Sequence, residues 1–168
     1  MTRSIPNSLL AVTVMALSTS AFAMSVEFND DIWNDARIPE GQQCVKYGGI
    51  NPATPSMTVS DIPISADSLV FVYDDISNKR MQKGGHGILE FALPEGATRA
   101  EIPAVFGHTY EVPVGIEMIA EYRSRAGESA GAYKPPCSGG KNHIYTVDVQ
   151  AWQGDRMIDE ETVEMGRY

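Results

Sequence analysis

Residues 134–152 read KPPCSGGKNHIYTVDVQAW. The first half is punctuation: Pro135 and Pro136 fix their own φ angles, and Gly139 and Gly140 permit a tight turn. From His143 onward the chain alternates. Tyr145, Val147, Val149 and Ala151 fall on one face, and Ile144, Thr146, Asp148 and Gln150 on the other. That period of two is the signature of a strand with one buried face.

Other segments read the same way. Ser68–Tyr73 (SLVFVY) is rich in β-branched and aromatic residues and nearly continuous in apolar character. It is expected to be a central strand with both faces partly covered. A polar loop, 76–85, separates it from a second strand at His86–Leu93, which Pro94-Glu-Gly96 closes. Ser25 onward reads as a short strand, and Thr162–Met165 as a short last one. Thr109–Arg125 is ambiguous: Val112, Val114, Ile116 and Met118 alternate, whereas Ile119–Tyr122 could continue as a helical turn. Gly48-Gly49, Asn51-Pro52 and Thr54-Pro55 mark an ordered, turn-rich segment. With no long amphipathic helix and no repeat, the expected class is all-β, a sandwich or barrel with few short helices.

The first 23 residues have the order of an export leader. Arg3 precedes an apolar run from Leu9 to Leu17, and Ala21-Phe22-Ala23 follows as a small-residue cleavage pattern. The apolar run is too short to cross a membrane. Residues 24–168 are expected to form a single exported domain, periplasmic or secreted, without a transmembrane span. The formal net charge is −9, and losing Arg3 makes the remainder more acidic. Nucleic acid is disfavoured as a partner, because backbone binding needs clustered cations. Cys44 and Cys137 are the only cysteines, an even pair compatible with one disulfide in an oxidising compartment.

Three histidines are candidates for chemistry. His86 and His143 each follow a glycine-rich loop at the start of a predicted strand and could meet at one end of a sandwich. Asp74, ending another strand, could reach the same rim, bond a ring nitrogen and raise that histidine's pKa. A cationic histidine beside N–H groups exposed at Gly139 and Gly140 suits phosphate or carboxylate. The same two histidines with Asp74 could ligate a divalent metal, but their spacing matches no metal motif. Cys137 with His143 lacks the remaining parts of a nucleophilic site. Ser138 lies in PCSGG rather than GxSxG, and Gly139-Gly140-Lys141 lacks P-loop spacing and precedes a strand. No catalytic residue, metal or cofactor is expected.

GGINPATPSM, DIPISADSLVFVYDD, GGHGILEF and PPCSGGKNHIYTVDVQAW, in that order and separation, resemble the phosphatidylethanolamine-binding protein family, and within it the bacterial branch described as Raf-kinase-inhibitor-like. The likeness runs from about Ile38 to Tyr168. It implies an antiparallel β-sandwich with a small anion-binding cavity at one end and no general catalytic activity. The residues it implies for that cavity are Asp74, His86, Pro136, His143 and Tyr145. The chain departs from the family pattern by reading Asp74-Asp75-Ile76 where Asp-Pro-Asp is usual, and His86-Gly87 where His-Trp is usual.

The leading expectation is a non-enzymatic binding protein for a small anion, phosphate or a phospholipid headgroup. An alternative is a secreted inhibitor or other protein-binding module working through loop 77–85 or loop 127–132. A metal-assisted hydrolase is a third and weaker alternative.

Overall fold

The computed structural model describes residues 23–34, 36–124 and 130–168. Among the described residues, eight strands form two antiparallel sheets. They are β1 (Ser25–Phe28), β2 (Met57–Ser60), β3 (Ser68–Asp75), β4 (Ile88–Ala92), β5 (Arg99–Ile102), β6 (Ile116–Ala120), β7 (Ile144–Gln153) and β8 (Arg156–Arg167). The smaller sheet has the order β1-β2-β5 and the larger β6-β4-β3-β7-β8. The helices among the described residues are single 3-10 turns at Val45–Tyr47 and Lys79–Met81. None is long and apolar enough to cross a membrane.

The sheets face each other across one core. Met57 and Val59 of β2 and Ile102 of β5 meet Leu69, Phe71 and Tyr73 of β3, Leu89 of β4, and Tyr145, Val147, Val149 and Ala151 of β7. The alternation read from β7 therefore names its core face correctly, and β3 does occupy the middle of the larger sheet. Tyr73 and Tyr133 pack edge to face with ring centroids 5.1 Å apart, and burial pushes both hydroxyl pKa values upward.

Several boundaries differ from expectation. β4 begins at Ile88, because Gly87 adopts φ 116° and breaks the regular ladder before it. A Cβ at Gly87 would lie 2.1 Å from the Ala132 carbonyl oxygen, so the passage of residues 132–134 over this point requires glycine. Among the described residues of the ambiguous 109–125 segment, β6 alone forms. β8 extends over 12 residues where a short strand was expected. Cys44 and Cys137 form a disulfide linking positions 93 residues apart.

Candidate functional site

Alternation along β3 decides which acid can reach a site. Leu69, Phe71 and Tyr73 point into the core, so Asp75 continues their side and Asp74 the opposite one. Asp75 lies opposite Tyr145 in the β3–β7 ladder, and His143 is two positions before Tyr145 on the same side. The three residues are thereby gathered where β3 ends and β7 begins. His143 Nδ1 donates to Asp75 Oδ2 at 2.7 Å, and Ser77 N donates to Asp75 Oδ1 at 3.0 Å.

A cavity of about 260 Å³ opens over this junction. Asp75, His86, His143 and Tyr145 line it, with Cys137 and Ser138 from the proline loop. Lys46 and Tyr47 form one wall, Asn78, Arg80 and Met81 another, and Arg123, Ser124, Lys134 and Lys141 complete it. Five of the chain's 13 lysines and arginines thus surround a space containing one acidic side chain, Asp75. In a protein of net charge −9 that is a sharp local reversal of sign.

The walls are held by specific contacts. Arg123 donates from Nη1 to the Arg80 and Gln82 carbonyls (3.0 and 2.6 Å) and from Nη2 to the Lys83 carbonyl (2.9 Å). Its backbone N–H donates to the Gly85 carbonyl. The Lys46–Tyr47 wall is tied down by the disulfide and by Cys44 N donating to the Pro136 carbonyl at 2.9 Å. Gly139 receives the Tyr47 ring: a Cβ there would lie 2.8 Å from Tyr47 Cζ, and its φ of 71° also favours glycine. Tyr145 Oη accepts from Cys137 N at 3.1 Å, and chiefly burial pushes its pKa up to about 12.

His86 lies at the base, 3% exposed and edge-on to Tyr145 at 5.3 Å. Its Nδ1 donates to the Lys134 carbonyl at 2.6 Å. Burial is the dominant influence and pushes its pKa down to about 4. The hydrogen bond to Lys134 and the charge of Asp75 oppose that shift, and the Lys134 ammonium adds to it. His86 is therefore neutral at neutral pH, which corrects the expectation that it would act as a cation. The positive charge in the cavity comes from lysine and arginine.

The structure brings His86, His143 and Tyr145 to one cavity, and it separates Asp74, Pro136, Gly139 and Gly140 from the lining. Asp74 bonds no histidine. It is buried, and its carboxylate accepts from Lys83 N at 2.9 Å and Gly84 N at 2.6 Å. It shapes the loop, and Asp75 takes the position beside the histidine. Pro136 contributes its carbonyl to Cys44, and Gly139 and Gly140 contribute turns with positive φ. His108 lies elsewhere, edge-on to Tyr122. Among the described residues, no group of three His, Cys, Asp or Glu side chains is placed to hold a metal.

Asp75 is within reach of sequence reasoning, since counting alternate residues from Leu69 arrives at it. The cations carry no such signal. Lys46, Arg80, Arg123 and Lys134 come from four separate segments and meet only through packing.

No family model and no curated protein sequence matches the chain. Among solved structures it is similar to a crystal structure described as a phosphatidylethanolamine-binding protein homolog from Chlamydia trachomatis. The superposition has a TM-score of 0.53 and 22% identity, covering 87% of this chain and 97% of that one. The all-β, two-sheet architecture expected from the resemblance is thus the fold of this protein.

Proposed function

We propose that the cavity binds a small oxyanion and that the protein is an exported, non-enzymatic binding protein. The observation that carries this reading is the concentration of Lys46, Arg80, Arg123, Lys134 and Lys141 around one recess of an otherwise acidic molecule. A cleft lined by one sign of charge, with low-dielectric walls, focuses the field and attracts the opposite ion. Lys134 is 8% exposed, and its ammonium lies 5.6 Å from the Tyr122 ring centroid, which helps fix it at the cavity wall. The disulfide and the leader-like first 23 residues support an oxidising, extracytoplasmic setting.

Calorimetric titration with inorganic phosphate, phosphoethanolamine and acetate tests the reading. Lys134→Met, which keeps the length of the side chain and removes its charge, is expected to weaken phosphate binding by about tenfold or more. Absence of millimolar binding by the parent protein sinks the reading. Loop 77–85, the alternative protein-binding element, has its backbone pinned by Arg123 and Asp74. The other candidate loop, 127–132, lies partly outside the described residues.

A further inference from the structure

The outer face of the larger sheet carries a second cavity, of about 390 Å³, which shares no lining residue with the first. It opens over the start of β3, at the opposite end of that strand from Asp75. Its charged lining is acidic throughout: Asp67, Glu90 and Glu117. Glu90 of β4 and Glu117 of β6 are direct cross-strand partners, which sets two like charges side by side and costs stability. Neither carboxylate has a hydrogen-bond or ion-pair partner among the described residues. Asp67 accepts from Gly154 N at 2.7 Å through Oδ2 and keeps its other oxygen open.

Ser68 supplies an independent sign of a ligand. It is 7% exposed and lines the cavity, and no protein group among the described residues bonds its hydroxyl. A buried hydroxyl left unpaired costs free energy, and a donor entering the cavity offsets that cost. The acceptors fall into two groups. Glu90 lies opposite Val70, two residues from Ser68. The pairs Glu90–Glu117 and Asp67–Ser68 therefore stand about 7 Å apart along the sheet, at about 3.3 Å per residue. They do not converge as metal ligands: among the described residues, no three acids are placed to hold an ion.

We propose that this cavity binds a small linear diamine. One ammonium sits between Glu90 and Glu117, the other at Asp67 and Ser68, and the methylene chain lies over Ala92 and Ile116. Each ammonium offers three donors, and the carboxylates and the open hydroxyl supply acceptors at both ends. The site is independent of the anion-binding reading above, since the two cavities share no residue.

Calorimetry on the purified protein at fixed ionic strength, with 1,5-diaminopentane, pentylamine and calcium chloride, is the test. The diamine is expected to bind at least about tenfold more tightly than the monoamine, because only the diamine reaches both groups. Glu117→Gln should weaken diamine binding by about tenfold while the thermal midpoint of the free protein holds or rises, since the like-charge pair is relieved. A purely structural role would not separate those two readouts. Ser68→Ala should narrow the ratio of diamine to monoamine affinity. Glu27→Gln removes an equal charge from β1 in the smaller sheet and should leave the affinity unchanged. No diamine binding at millimolar concentration, equal affinities for diamine and monoamine, or displacement of the diamine by an equal concentration of calcium overturns the site. Equal losses in Glu27→Gln and Glu117→Gln also overturn it, by reducing the binding to general attraction toward an acidic molecule.

Discussion

His143 Nδ1 and Asp75 Oδ2 lie 2.7 Å apart although 68 positions separate them in sequence, and their hydrogen bond joins the entry of β7 to the exit of β3. The Asp75 side chain is 4% exposed and the His143 side chain 24%. His143→Ala strips a buried carboxylate of one of its two protein donors, at an expected cost of about 1–3 kcal/mol. Urea unfolding measures it. A midpoint equal to that of the parent would show that the pair contributes nothing to the fold.

Asp74 should behave as a structural acid. Asp74→Ala leaves the Lys83 and Gly84 N–H groups without their acceptor, and each hydrogen bond to a charged group is worth about 1.5–3 kcal/mol. Stability is expected to fall by about 2–4 kcal/mol, and Asp74→Asn to lose less. If Asp74→Ala removed anion binding with no change in the unfolding midpoint, Asp74 would belong to the binding site instead.

His86 makes stability depend on pH with a definite sign. Its folded pKa is depressed from 6.5 to about 4, so the unfolded chain binds the proton more readily. The stabilisation is fully present above pH 6.5 and is lost as pH falls through the folded value near 4. Its size is about 3 kcal/mol. Urea midpoints between those pH values should fall more steeply for the parent than for His86→Phe. Parallel curves would place the titration elsewhere.

The disulfide closes a long loop. For a separation of 93 residues, chain entropy gives a stabilisation of about 4–5 kcal/mol. Cys44→Ser with Cys137→Ser, or treatment of the parent with reductant, should lower the thermal midpoint. Phosphate affinity should fall as well, because the disulfide anchors the wall that carries Lys46 and Tyr47. Unchanged affinity in a folded double variant would show that the Cys44–Pro136 hydrogen bond suffices for that wall.

Met24 offers a test of maturation. Its side chain is 3% exposed in the core, and its backbone nitrogen donates to Asp159 Oδ2 at 3.2 Å. Cleavage after Ala23 would convert that nitrogen to an ammonium and make the bond charge-assisted. Mass spectrometry of protein recovered from a periplasmic or secreted fraction is expected to find Met24 first. Asp159→Asn should then cost up to about 1 kcal/mol, and less in a version with two extra residues before Met24. A different first residue, or equal losses in the two versions, would count against this anchor.

The legible parts of the fold are those where alternation is uninterrupted. β7 and β3 declare themselves through Tyr145–Ala151 and Leu69–Tyr73, and β1 through Val26 and Phe28. β2 and β5 do not, because each has four residues hemmed in by turn formers: Pro55 and Pro63 around one, Gly96 and Pro103 around the other. Most of β8 is hidden by Asp159, Glu160, Glu161 and Glu164, acidic residues on the edge strand of the larger sheet. Charge on such a strand discourages further pairing and obscures the apolar period. In the site, His86, His143 and Tyr145 are legible from strand entry and family pattern together. Asp75 is masked by its neighbour, because residue type points equally to either acid and only the side of the pleat distinguishes them.

Arg123 spends its guanidinium hydrogen bonds on main-chain oxygens, and those oxygens are the same whatever side chain accompanies them. The lip of the cavity is therefore braced without regard to the identity of Arg80 or Lys83. The side chain at 80 can therefore be redesigned for another ligand while the opening keeps its shape, whereas Lys83, at φ 58°, holds a left-handed backbone that limits its replacements. The brace itself has no such freedom. A lysine at 123 would present a single compact ammonium where a planar fork now spans three carbonyls.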